Sequence, residues 1–253
     1  MEYTPEKNWH SMEKEELIQL TGSAPEKGLK KEEAGNALGD AAGMGVHESQ
    51  SRLWENQVGR SRPFWEFWEP RFREAFAEQL KDISSEDLYL AINAVNPCLI
   101  RVDSDEIHYN LHIILRFTLE KALFSGDLQV SDLPAEWNRL SRELLQLDPP
   151  DDQHGVLQDV HWSGGAFGYF PSYCLGNMIG AQLWEKARSV FPDWEVQFKR
   201  GEFGFLLDWL RSEVHHRGKL VNAKSLPEVV CGQALSPDAL LRYLKERYEP
   251  LYA

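Results

Sequence analysis

Four groups of residues in this chain have types and spacings that could do chemistry. In "GVLQDVHWSGGAFGYFPSY", residues 155–173, Gln158, Asp159, His161, Trp162, Tyr169 and Tyr173 crowd around Gly164, Gly165 and Gly168. Imidazole and phenol groups on a glycine-rich turn suit a site whose N–H and O–H donors meet developing negative charge. The same density fits a structural loop with a packed Trp and a satisfied His. Arg101, in "IRVDSDE", stands just before a helix. It could grip a carboxylate through two parallel N–H donors, or pair with Asp103 or Asp105 at the surface. Glu48, in "GMGVHESQSRLWENQVGRSRPFW", heads an amphipathic helix, where a carboxylate either ligates a metal or complements the positive helix end. His108 and His112 share one helix face at i and i+4 and would complete a three-ligand set with Glu48, but histidines on an apolar helix commonly pack.

The elements that must position these groups read as helices almost throughout. Val46, Leu53, Trp54 and Val58 give the helix after Glu48 an inward face. In "DSDEIHYNLHIILRFTLEKALFSG", Asp103 and Glu106 have capping-box spacing, with Asp in the Ser/Thr role. Ile107, Leu111, Ile114, Leu115 and Leu119 follow as an apolar stripe, and Gly126 stops the helix. Another helix starts at Ser84 or Ser85, and "SPDALLRYLKERYEP" has Ser236 as cap, Pro237 in the first turn and Pro250 as stop. "GKLVNAKSL" has room for one short extended piece. No 20–50-residue period repeats, which excludes a solenoid. The expected fold class is mostly α, an irregular helical domain over 35–253 behind a polar, weakly ordered arm over 1–34 that has room for a short helix near Glu13 to Leu20.

Bulk properties exclude several function classes. A net charge of −13, from 40 acidic and 27 basic residues, argues against nucleic-acid binding, which needs a dense Lys/Arg surface. No apolar run reaches membrane-spanning length, and "MEYTPEKNWHSMEKEE" lacks the basic end and apolar stretch of a signal peptide. A soluble, cytoplasmic protein with no membrane partner is expected. Cys98, Cys174 and Cys231 are odd in number and set in apolar contexts, so buried free thiols are expected. His215 and His216 read as surface groups. The aromatic run "RPFWEFWEPRFREAF" reads either as core or as a surface for a partner.

Three stretches taken in order, "LGDAAGMGVHESQSRLWENQVGRSRPFW", "IRVDSDEIHYNLHIILRFTLEKALFSGDL" and "GVLQDVHWSGGAFGYFPSYCLGNMIGAQL", resemble the carboxypeptidase Taq family of zinc metallocarboxypeptidases. They match its HES(Q), I-R-x-x-A-D and G-x-x-Q-D-x-H-W motifs, and the similarity runs from about Gly28 to the C-terminus. Ser104 replaces the family's Ala before Asp105, and His108 stands where Thr is common. The resemblance implies a helical, cytoplasmic, usually dimeric protein about twice this length, of which this chain resembles the C-terminal half. It implies that Glu48 is a zinc ligand and that Arg101 binds the C-terminal carboxylate of a peptide. By the same resemblance Gln158 and Asp159 serve substrate binding, Asp159 orients His161, and His161 with Tyr169 or Tyr173 stabilises the oxyanion.

The remaining metal ligands of that family come from an H-E-x-x-H helix, whose Glu is the general base. The sequence contains no such motif: "HESQS" has Ser51 in fifth place and "HYNLH" has Tyr109 where the base belongs. Gapless alignment puts Ile18, Gln19 and Gly22 at the two His and the Glu between them, and none can replace those groups. The family's H-P-F and D-x-R-x-T motifs are absent too. Two functions are therefore expected. One is half of a zinc carboxypeptidase, inactive alone and completed by an N-terminal partner; the other is a non-catalytic scaffold that dimerises or binds peptide ends.

Overall fold

The structure, a computed structural model, describes residues 28–33 and 35–252. Nearly all of the expected polar arm, with Ile18, Gln19 and Gly22, lies outside the described residues. The α-helices are, in chain order, α1 (Met44–Arg52), α2 (Arg62–Ala75), α3 (Ala77–Leu80), α4 (Ser85–Ile92), α5 (Glu106–Ser125) and α6 (Leu133–Leu145). They continue with α7 (Pro171–Val190), α8 (Trp194–Lys199), α9 (Gly204–Glu213), α10 (Leu226–Cys231) and α11 (Asp238–Tyr252). No strand occurs among the described residues, so the fold is all-α as the periodicity implied.

The chain divides into two compact units. The first takes in residues up to Ser85 together with Gly176–Glu246. Its core joins Val46, Leu53, Trp54 and Val58 to Ile179, Leu183 and Trp184 of α7 and to Leu206 and Leu210 of α9. The inward face expected of the first helix is the observed one. Past Arg52 that helix widens into a π-turn over Leu53–Val58, where the Gly59 N–H reaches back to the Trp54 carbonyl at 2.8 Å. Close approach of α1 to α7 depends on two glycines. A methyl group on Gly180 would lie 3.0 Å from the Ser49 carbonyl oxygen, and one on Gly176 would lie 2.7 Å from Glu48 Cγ. Phe64, Phe67 and Trp68 of α2 pack on the same core, whereas Phe76 at the end of the aromatic run is 45% exposed.

The second unit holds Glu86–Leu175 and the residues from Arg247 onward. Its axis is the 20-residue helix α5, which ends at Gly126 in the left-handed conformation, φ +82°. The cap at its start is Asp105, not Asp103: the Asp105 carboxylate accepts the N–H groups of Ile107 and His108, both at 2.9 Å. Leu115 and Leu119 pack with Trp137, Leu140 and Leu145 of α6, and burying each leucine contributes about 1.5–3 kcal/mol. Of the rest of the expected stripe, Leu111 packs half-buried on the same cluster and Ile107 is half-buried, but Ile114 is 45% exposed, while Tyr109, His112, Ile113, Arg116 and Glu120 are buried. Other boundaries also differ. Pro250 lies inside α11, and "GKLVNAKSL" runs from the end of a 3₁₀ helix, His215–Leu220, through a turn into α10 rather than forming a strand. His215 is buried, with Nε2 3.1 Å from Gln50 Oε1, so His216 alone of that pair is at the surface.

Candidate functional site

The buried polar groups of α5 recur every three or four residues and so line one helix face. On that face Arg116 is fully buried. Its Nε donates to Asp159 Oδ2 at 2.6 Å and its Nη1 to the His112 carbonyl at 2.9 Å. Asp159 also receives Arg101, which lies on a short 3₁₀ turn, Arg101–Asp103. Arg101 donates from Nη2 to Asp159 Oδ1 at 2.8 Å, from Nε to the same oxygen at 3.2 Å, and from Nη1 to the Tyr109 hydroxyl at 3.1 Å. Gln158 fixes this turn. It accepts the Arg101 backbone N–H at 3.0 Å and donates to the Leu99 carbonyl at 2.8 Å. The Tyr173 ring covers the Arg101 guanidinium, 4.8 Å from Cζ to the ring centroid.

The loop that follows brings in the remaining groups. His161 Nε2 lies 3.0 Å from the Tyr173 hydroxyl, and its ring packs on Phe170 with centroids 4.4 Å apart. Its other nitrogen is 3.6 Å from Asp159 Oδ1, too far for a hydrogen bond. Tyr169 sits beside both, 5.6 Å from the His161 ring and 5.3 Å from Tyr173. Glu120 ties the loop down: one oxygen accepts the Trp162 indole N–H at 2.8 Å and the Gly168 backbone N–H at 3.1 Å. Those donors belong to the residue after His161 and the residue before Tyr169.

Protonation follows from burial and the shared carboxylate. Burial pushes the Asp159 pKa up, but hydrogen bonds and charge from Arg101 and Arg116 outweigh it and hold the carboxyl below its usual range. Burial also disfavours the Arg101 cation, yet its bonds to Asp159 raise its pKa overall. Burial lowers Arg116 to about 10, so it stays charged at neutral pH. His112 is lowered to about 4, by burial and then by Arg116, and is neutral. Burial likewise lowers His161. The unit therefore holds two guanidinium cations on one carboxylate, beside the imidazoles of His112 and His161 and the phenols of Tyr109, Tyr169 and Tyr173. Such an arrangement can bind an anion and donate hydrogen bonds to it.

The structure thus brings Arg101, Gln158, Asp159, His161, Tyr169 and Tyr173 together in the second unit. Glu48 belongs to the first, half-buried on α1 against Gly176. His108 and His112 both have local partners: His108 Nδ1 is 2.6 Å from Asp105 Oδ2, and His112 Nε2 is 3.0 Å from the Cys98 carbonyl. Sequence reasoning missed Arg116, Glu120 and Tyr109. The available signal was an Arg and a Glu one turn apart, in line with His112 and Tyr109 on the same helix face.

Residues 21–248 match the profile of the Carboxypeptidase Taq (M32) metallopeptidase family. The chain belongs to that family. It is 51% identical over 227 residues to Thermostable carboxypeptidase 1 of Thermus thermophilus, covering 90% of this chain and 44% of that protein. With Carboxypeptidase 1 of Bacillus subtilis it shares 44% identity over 219 residues, covering 87% and 44%. The M32 carboxypeptidase structure from Deinococcus radiodurans R1 superposes with a TM-score of 0.87 at 43% identity, over 90% of this chain and 46% of that one. The chain spans less than half the length of these relatives. M32 proteins are metallopeptidases, which implies a metal ion, but among the described residues no three His, Cys, Asp or Glu side chains are placed to hold one. Nor is any described helix long and apolar enough to cross a membrane.

Proposed function

We propose that this chain supplies the peptide-terminus and oxyanion-facing part of an M32 carboxypeptidase, which removes C-terminal residues from peptides. The observation that carries this is the Arg101–Asp159–Arg116 cluster beside the His161–Tyr173 pair. Arg101 has five N–H donors, of which Asp159 and Tyr109 take three, so two remain for an incoming carboxylate. A terminal carboxylate matches such a fork and an internal peptide bond does not. Asp159 and Gln158 aim Arg101, and His161, Tyr169 and Tyr173 donate toward the scissile carbonyl. In this reading Glu48 is one ligand of a zinc ion whose other ligands belong to an H-E-x-x-H helix. These residues contain no such motif, and in this reading hydrolysis requires that helix from outside them. Three free thiols suit a reducing, cytoplasmic setting.

A second reading has a specific observation behind it. Arg101 is 5% exposed and already hydrogen-bonded, which also fits a non-catalytic scaffold whose charges satisfy one another. Titration with a blocked dipeptide and with its C-terminal amide separates the two. Saturable binding of the acid, lost in Arg101→Met, supports the proposal; equal, weak binding of both supports the scaffold. Zinc content and dipeptide hydrolysis, measured on the zinc-reloaded chain, should both be absent. Stoichiometric, Glu48-dependent zinc with hydrolysis would overturn the claim that a partner is needed.

A further inference from the structure

Resting on that reading of Arg101, we infer that Arg116 is the counter-charge for the second carboxylate and so a determinant of specificity for free C-termini. Before a ligand arrives, two guanidinium cations face one carboxylate. Arg101 holds Asp159 through Nε and Nη2, and Arg116 holds the other oxygen through Nε. When a peptide terminus docks on the free donors of Arg101, two carboxylates flank a single guanidinium. With Arg101 alone this group would carry a net negative charge in a half-dry site, where like charges repel strongly. Arg116 brings the balance to two cations and two anions. It never touches the ligand in this arrangement and acts through Asp159.

Neighbouring charges do not supply that balance. His112 is next to Arg116 but neutral, with a pKa of about 4, and burial lowers His161 as well. Glu120, one turn further along α5, is engaged by Trp162 and Gly168 and supplies no cation. Arg116 is also held independently of any ligand. Its Nη1 bonds the His112 carbonyl at 2.9 Å, and its guanidinium stacks over Trp137 at 4.7 Å. Its position is therefore set before binding, as a preorganised counter-charge requires.

The test compares N-acetyl-alanyl-alanine with its C-terminal amide, titrated into the full chain by NMR. The unaltered chain is expected to prefer the acid by about ten-fold or more, the scale of one charge-assisted pair. Arg116→Met keeps Arg101 and Asp159 as a neutral pair and so leaves no stranded buried charge. In that variant the preference should fall to near unity with amide affinity unchanged, a pattern that general loosening of the fold does not give. Arg116→Lys should restore part of the preference. Should the methionine variant fail to fold, Arg116→Gln, which keeps a donor and loses the charge, should show the same fall. An acid preference that survives loss of the charge overturns the role of Arg116. Absence of any preference in the unaltered chain overturns the Arg101 reading itself, and the two failures are distinguishable.

Discussion

Gly176→Ala should destabilise the chain although alanine is the better helix former. Gly176 is the sixth residue of α7, in ordinary helical conformation, where alanine in open space would gain about 1 kcal/mol. The space is not open. A methyl group there would lie 2.7 Å from Glu48 Cγ, 2.8 Å from Glu48 Cβ and 3.1 Å from the Glu48 carbonyl carbon. The last contact is with backbone, so no rotamer change of Glu48 relieves it and α1 must shift. Overpacking of this kind costs about 1–3 kcal/mol. Because backbone must move, the upper end applies, and subtracting the propensity gain leaves a loss of about 2 kcal/mol. For a chain of this size that is a Tm about 4–8 °C lower. Thermal unfolding followed by circular dichroism measures it, with Gly204→Ala as control because a methyl group there meets nothing within 4 Å. A Gly176→Ala Tm equal to or above the unaltered value refutes the close α1–α7 contact that sets the position of Glu48.

Three further outcomes are expected. Asp159→Ala leaves two buried guanidinium groups without their carboxylate and should cost about 3–5 kcal/mol in urea unfolding. Asp105→Ala removes the α5 cap and should lower stability by about 1–2 kcal/mol, with an added loss from the Asn96 N–H that Asp105 also accepts at 3.0 Å. Stability should also fall in mild acid. Burial lowers His112 and His215 to about 4 from the ordinary histidine value of 6.5, so the unfolded chain binds more protons between those values. Stability is then lost as pH drops from 6.5 toward 4. Urea midpoints measured across that window should slope downward with acid, and His215→Gln should flatten the slope; a level profile would contradict the buried, neutral imidazoles.

What was legible in the sequence was what apolar period and local punctuation encode. Val46, Leu53, Trp54 and Val58 announced the inner face of α1 and of the π-turn that continues it, Ser84 or Ser85 the start of α4 and Gly126 the end of α5. The face of α5 was read only in part: Leu111, Leu115 and Leu119 do face the core, but the buried side is also polar, with His112, Arg116 and Glu120 where a hydrophobic count looks for leucine. What makes those groups buriable lies far along the chain: Asp159 is 43 residues from Arg116, and Trp162 is 42 from Glu120. His215 was misread for the same reason, since its partner Gln50 is 165 residues away. Asp103 and Asp105 compete for the same cap, and only backbone geometry chooses Asp105. The motif residues could be named from sequence, but the occupancy of Arg101 by Asp159 and Tyr109 could not.

In the function proposed here, these residues hold one part of a metallopeptidase site, and the H-E-x-x-H helix comes from outside them. The most direct measurement mixes the chain, loaded with zinc, with the N-terminal portion of the Thermus thermophilus relative and follows hydrolysis of a blocked dipeptide. Hydrolysis should appear only in the mixture and disappear with Glu48→Gln or Arg101→Met in this chain. Hydrolysis by the chain alone, or a mixture whose activity ignores both substitutions, would contradict it.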